Sequence, residues 1–253
     1  MLAARTISRR FSTKRPIELG YYNIKGLLEP ARWICCHYNI PYVEWNPQSD
    51  ADWEEKKKEL GAFPSLPYLK DGDLVITESS TFPSSIPYYL AEKSGNPDFL
   101  GKDAAERAKL KMYESMLKNI ILESLRIIGL GKDADHKGEF GKLLAKDGNT
   151  YRTIQFISET LANKDFIFGH LTWLDFLMQF TARFTGAIMY SHFGYSPYAD
   201  VPNIVKLVTT VTSLPGVKER LDFAQPVPYL VPETVPFKLL NFKEMIDAGL
   251  NPI

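Results

Sequence analysis

Apolar residues recur along this chain with two different periods, and the point where the period changes divides it. The pattern first turns over quickly. Ile17 to Tyr22 is a short apolar and aromatic run of the kind that forms a buried strand, and Gly26 interrupts it. From Leu27 to Tyr38 the residues Leu28, Ala31, Ile34 and Cys35 fall on one side of a helix, which Pro41 ends. Tyr42-Val-Glu-Trp45 predicts a second strand, so a β-α-β unit with parallel strands and a right-handed crossover is complete by Trp45. A charged helix is expected from about Asp52 to Leu60. Leu66-Pro-Tyr-Leu69 and Leu74-Val-Ile-Thr77 then flank Asp71-Gly72, a hairpin signal, and a further helix is expected from near Ser79 to Lys93.

After Ser94-Gly-Asn-Pro97 only the helical period remains. Helices are expected over Ala104–Ile128, Thr150–Ala162 and Thr172 to about Tyr190, with shorter ones after Pro202 and Pro215. Thr172-x-x-Asp175 ahead of Phe176-Leu177 fits a capping box. Gly129 to Gly148, rich in Gly, Asp and Lys, reads as a long solvated loop. From Ala224 onward five prolines and little periodicity predict a segment that wraps over a surface. The organisation is therefore an α/β unit at about 17–93, an all-α helical unit at about 103–222 and a Pro-rich extension at 223–253. The order β-α-β-α-β-β-α within the first unit is that of a thioredoxin-like domain.

Composition narrows the classes of function. With 253 residues, 45% apolar and 24% charged, the chain can bury a core and is neither disordered nor a disulfide scaffold. No apolar run approaches the roughly 20 residues of a membrane-spanning helix. Lys and Arg total 30 against 30 Asp and Glu, so no global positive field gathers nucleic acid. The balance hides an asymmetry: residues 1–16 hold Arg5, Arg9, Arg10, Lys14 and Arg15, four hydroxyl residues and no acid. As a helix this stretch sets Leu2, Ile7 and Phe11 among arginines, the composition of a mitochondrial transit peptide; the plainer alternative is a basic tail. Mitochondrial localisation is the expectation. Cys35 and Cys36, adjacent on a helix, point about 100° apart and are expected to stay reduced. The four histidines are scattered, so no metal site is expected.

Four motifs in order then carry a family resemblance. They are Leu19-Gly-Tyr-Tyr-Asn-Ile-Lys-Gly-Leu27 followed by Arg32; Trp53-x-x-x-Lys57-x-x-Leu60-Gly61 running into Phe63-Pro-Ser-Leu-Pro-Tyr-Leu69 and Asp71-Gly72; Ile76-Thr-Glu-Ser79; and Phe168-Gly-x-x-Thr-x-x-Asp175-Phe176. Together they resemble the cytosolic-type glutathione S-transferases, mu- and sigma-like, with motifs closest to the mu class. The resemblance spans roughly residues 17–222.

It implies glutathione as co-substrate, a hydrophobic electrophile as the second substrate and Tyr21 as the catalytic group. A free thiol with a pKa of about 8.5 is mostly protonated at neutral pH, and lowering it by about two units takes roughly 2.7 kcal/mol. A donated hydroxyl proton and a helix N-terminus supply that much. Spacing alone fits Tyr21 better to a core tyrosine beside Tyr22. By the same resemblance Leu66-Pro67 is the cis-proline turn that pairs with the cysteinyl unit. Glu78 and Ser79 meet the γ-glutamyl end, where the alternative is an ordinary helix cap. Trp53 and Lys57 hold the glycyl end, although a lysine within Glu54-Glu-Lys-Lys-Lys58 also fits a solvated helix face. Tyr22 stands where the mu class has tryptophan, and Phe63 matches an aromatic that inserts into a partner subunit, implying a homodimer.

Three positions depart from the pattern. Asp50 occupies the place of an arginine that contacts glutathione. The helix after Ser79 is about four residues longer and carries Pro83 and Pro87, the second of which is expected to cost roughly 3 kcal/mol inside a helix. Gly129 falls near a tyrosine that covers the electrophile. Two functions follow: a mitochondrial glutathione transferase, or a non-catalytic accessory subunit of the same fold in a large respiratory-chain assembly.

Overall fold

The computed structural model describes residues 15–77, 85–194, 196–198, 200–224 and 230. Nearly all of the expected targeting segment, Glu78, Ser79 and Pro83, and the Pro-rich extension apart from Phe223, Ala224 and Leu230 lie outside the described residues.

Four short strands, β1 (Ile17–Gly20), β2 (Tyr42–Trp45), β3 (Tyr68–Asp71) and β4 (Leu74–Ile76), form one mixed sheet in the order β2-β1-β3-β4. β1 runs parallel to β2 and antiparallel to β3, and β3 is antiparallel to β4. Asp71 pairs with Leu74, so the hairpin closes through Gly72-Asp73, and Gly72 adopts the positive φ of 63° that this turn requires. The parallel pair is bridged by a 3-10 turn at Gly26–Leu28 and helix α1 (Glu29–His37), where one continuous helix was expected from Leu27. Gly26 has φ of 45°, which an α-helix does not admit, and Pro30 sits in the first turn where a missing N–H is harmless. Helices α2 (Asp50–Lys57) and α3 (Ser85–Ser94) complete a thioredoxin-like unit. Pro87, expected to disrupt its helix, is the third residue of α3 and is buried within it.

The remaining described elements are helical: α4 (Ala104–Ile128), α5 (His136–Leu143), α6 (Asn149–Leu161), α7 (Trp173–Phe193), α8 (Pro202–Thr212) and α9 (Val217–Ala224). α7 is buried along its length from Trp173 to Met189, polar positions included, as a helix enclosed by others must be, and it packs on α4, α8 and α1. Trp173, Phe176, Phe180 and Phe184 are all buried; truncating one such side chain typically costs about 3–5 kcal/mol.

Helix α5 corrects the expectation of a solvated loop over Gly129–Gly148. Asp135 caps it by accepting the Gly138 N–H at 2.9 Å, and Phe140 anchors it in the core. Two glycines and one large apolar anchor in eight residues give too little periodicity to stand out in the sequence.

Candidate functional site

Register decides which residues meet. Gly20, the last residue of β1, pairs with Trp45 on one side and with Tyr68 on the other. The residues that follow Gly20 and precede Tyr68 therefore share one end of the sheet: Tyr21 and Tyr22 from β1, Leu66 and Pro67 leading into β3. The Leu66–Pro67 peptide is cis. Gly20 permits this closeness, because a Cβ there would lie 1.9 Å from the Tyr68 ring.

Tyr21 is buried, and its hydroxyl lies 3.5 Å from the Leu27 N–H, at the outer limit of a hydrogen bond, facing the start of α1. In that contact the oxygen accepts, leaving its own proton to donate elsewhere. Burial pushes the phenol pKa above its ordinary value, against smaller opposing effects of the Leu27 N–H and the Arg32 charge, so Tyr21 is a hydroxyl donor and not a phenolate at neutral pH. Gly26 closes on this ring: a Cβ there would stand 2.4 Å from Tyr21 Cε1 and 3.0 Å from its hydroxyl. Tyr22, 44% exposed, meets the Tyr21 ring edge-on at 5.5 Å.

Helix α2 reaches the same end of the sheet through aromatic contacts. Trp53 packs on Trp45 with centroids 6.2 Å apart, and Trp45 on Tyr68 at 6.1 Å. The Lys57 ammonium lies 5.5 Å from the Trp53 ring centroid and pairs with Glu54 at 2.5 Å, its side chain one-third exposed. Glu54, Glu55 and Lys58 do form a solvated face, and Lys56, the neighbour of Lys57, departs from it. Lys56 is buried, bonded to Glu18 at 2.8 Å and Glu59 at 3.1 Å, with its ammonium over the Trp45 and Tyr68 rings. Only the contacts across the fold distinguish two adjacent lysines of identical chemistry. Asp50, exposed, is the first residue of α2, where Ser49 caps the helix and an acid is favoured by the dipole.

Beneath the site lies an ionic group that periodicity does not reveal. Arg32 donates to the Ile24 and Lys25 carbonyls at 2.7 and 2.9 Å, to Glu29 at 3.1 Å and to Glu44 at 2.9 Å. Arg220 of α9 bonds Glu29 and Glu44 at 3.1 Å each, tying the helical half to α1 and β2. Lys25, 2% exposed, has its amine pushed down to about 8 by burial, with Arg183 and Arg220 adding to the effect against Glu29. By holding the carbonyls of Ile24 and Lys25, Arg32 fixes the loop between Tyr21 and α1. The sequence signal for this is Arg32 with Glu29 one turn before it, two charged residues on the buried side of α1.

Among the described residues no group of His, Cys, Asp or Glu is arranged to hold a metal, and no helix is long and apolar enough to cross a membrane. Cys35 and Cys36 are free thiols.

No protein-family model matches the chain. The class-mu 26 kDa glutathione S-transferase isozyme of Schistosoma japonicum is 33% identical over 165 residues, which are 63% of this chain and 69% of that protein. A class-mu 26 kDa isozyme of Schistosoma mansoni is 27% identical over 210 residues, 81% of this chain and 88% of its own. Among solved structures, prostaglandin synthase D of Nilaparvata lugens superposes with a TM-score of 0.67 at 21% identity, over 85% of this chain and 100% of that one, and shares its fold.

Proposed function

The chain belongs to the glutathione S-transferase family, and from that premise we propose that it conjugates the glutathione thiolate to hydrophobic electrophiles, with Tyr21 as the catalytic group. The observation that carries this reading is the buried Tyr21 hydroxyl, protonated and facing the start of α1. Its proton bonds the sulfur and stabilises the thiolate, whose own proton passes to solvent; the thiolate lone pair then forms the S–C bond at the electrophilic carbon as the bond from that carbon to its leaving group breaks, the electron pair departing with that group. A phenol with a raised pKa donates this bond without surrendering the proton, so the sulfur keeps its negative charge and its nucleophilicity. The N-terminal end of α1 adds a positive potential at the same place. Lys57 and Trp53 take the glycyl end, the backbone at Leu66 beside cis Pro67 takes the cysteinyl unit, and Glu78 and Ser79, outside the described residues, take the γ-glutamyl end. Phe63, 70% exposed, is the contact for a second copy in a homodimer. Tyr21→Phe should keep glutathione binding and lower turnover with an aromatic electrophile by about 10²-fold. Unchanged turnover would overturn the assignment.

The location we propose is the mitochondrion, on the arginine-rich, acid-free residues 1–16. A reporter fused behind residues 1–24 should enter mitochondria, and replacing Arg5, Arg9 and Arg10 by Glu should stop it; cytosolic retention of the unaltered fusion speaks against import. The charge reversal at Asp50 favours a second reading, an accessory subunit of a large mitochondrial assembly. Native separation with glutathione-affinity capture distinguishes the two: an enzyme is retained as a free dimer, a subunit migrates with the assembly and is not retained.

A further inference from the structure

We propose that Asn46 is a positioning residue for Tyr21, replacing with its side chain a backbone bond that Pro47 makes impossible; the inference rests on the role of Tyr21 proposed above. β1 and β2 pair in parallel register, from Ile17 with Tyr42 to Gly20 with Trp45. In a parallel ladder alternate residues of one strand bond on both sides: the N–H goes to the residue before its partner, and the C=O receives the N–H of the residue after it. Both ends of β1 keep this pattern. Ile17 N–H donates to the Pro41 carbonyl and Tyr21 N–H to the Trp45 carbonyl, each at 3.0 Å. One step further, the Tyr21 carbonyl would receive the N–H of residue 47. Residue 47 is proline and has none.

The Asn46 amide closes that gap. Its Nδ2–H donates to the Tyr21 carbonyl at 2.8 Å, while Gln48 Nε2 donates to the Asn46 carbonyl at 3.0 Å and steadies the turn. The Tyr21 carbonyl marks the point where the chain leaves the sheet for the loop that returns at Gly26. Anchoring it fixes the peptide plane after Tyr21, and with Gly26 pressed against the ring it fixes where the hydroxyl stands. A hydrogen bond to a sulfur anion loses its effect when the donor drifts by about 1 Å, so this anchor acts on rate through Tyr21 and touches no substrate itself.

The test is a mutant cycle on the full chain, read by kcat and KM with an aromatic electrophile and by the ultraviolet absorbance of the bound thiolate as pH is varied. Asn46→Ala should lower kcat about tenfold and raise the pH of half-ionisation of bound glutathione by about one unit, with glutathione affinity within about twofold. Pro47→Ala restores a backbone N–H at the missing position, so Asn46→Ala/Pro47→Ala should recover most of both losses. Asn46→Asp keeps the size but lacks the donor; it should behave as Asn46→Ala and serves in its place if that variant does not fold. In the Tyr21→Phe background Asn46→Ala should change kcat no further. A wild-type pH profile in Asn46→Ala or Asn46→Asp, or a loss that Pro47→Ala fails to repair, overturns the positioning role. If Tyr21→Phe itself changes nothing, the reading of Tyr21 fails instead.

Discussion

Glu29 and Asp175 are both 0% exposed carboxylates near a helix start, and they are held by opposite means. Glu29 sits between two guanidinium groups, Arg32 at 3.1 Å and Arg220 at 3.1 Å. Burial opposes its charge, Arg220 and Arg32 outweigh burial, and its carboxyl is held below the usual carboxylate range. Asp175 is held instead by neutral donors among the described residues. It accepts the Thr172 N–H at 2.7 Å, the Thr172 hydroxyl at 2.9 Å and the Ile167 N–H at 2.8 Å, closing the start of α7. Burial outweighs these dipoles, and its pKa is pushed up to about 6. Full charges offset desolvation and neutral donors do so only in part. One centre therefore locks two halves of the molecule together, and the other locks a single helix start.

The contrast breaks most sharply at Glu29. Glu29→Gln leaves two buried arginines facing a neutral amide and should cost about 3–5 kcal/mol in urea unfolding; a loss under 1 kcal/mol would show that the centre is not electrostatically coupled. Asp175→Asn keeps the shape but turns one acceptor into a donor against an N–H, for an expected cost of about 1–3 kcal/mol at neutral pH.

The pH dependence sharpens the same comparison. The Asp175 pKa is higher folded than unfolded, so its contribution is fully present below about pH 4 and is lost as pH rises through about 6. Wild type should therefore gain about 1 kcal/mol over Asp175→Asn on going from pH 7 to 5. Glu29, whose pKa is depressed, contributes with the opposite sign: its stabilisation is present above the unfolded value and is lost as pH falls through the folded one. The smallest effect belongs to charges left in water. The Lys58–Glu55 pair at the C-terminal end of α2 is about 70% exposed on both sides, and Lys58→Ala should change stability by less than about 0.5 kcal/mol in the same assay.

The difference between the two centres also separates what was legible. Thr172 and Asp175 lie three residues apart before an apolar run, and that local pattern identifies the cap without a structure. Strand β2 and helix α4 were readable to their end residues for the same reason, since period and flanking breakers are local. Glu29 and Arg220 are 191 residues apart, and no pattern in either neighbourhood names the other. Lys56 and Lys57 look alike in the sequence, yet one is sealed over Trp45 and the other faces outward.

Alternation, helical period, turn glycines and caps are properties of neighbours along the chain, and through them the sequence alone determined the order of elements, the hairpin, most helices and the family to which they belong. Which charges would be buried together, how α9 docks on α1, and which group would serve the Tyr21 carbonyl opposite a proline depend on partners brought close only by the packed sheet and helices. Those choices belong to the tertiary structure, because a side chain's charge, accessibility and bonding partner are set by whatever fills the space around it.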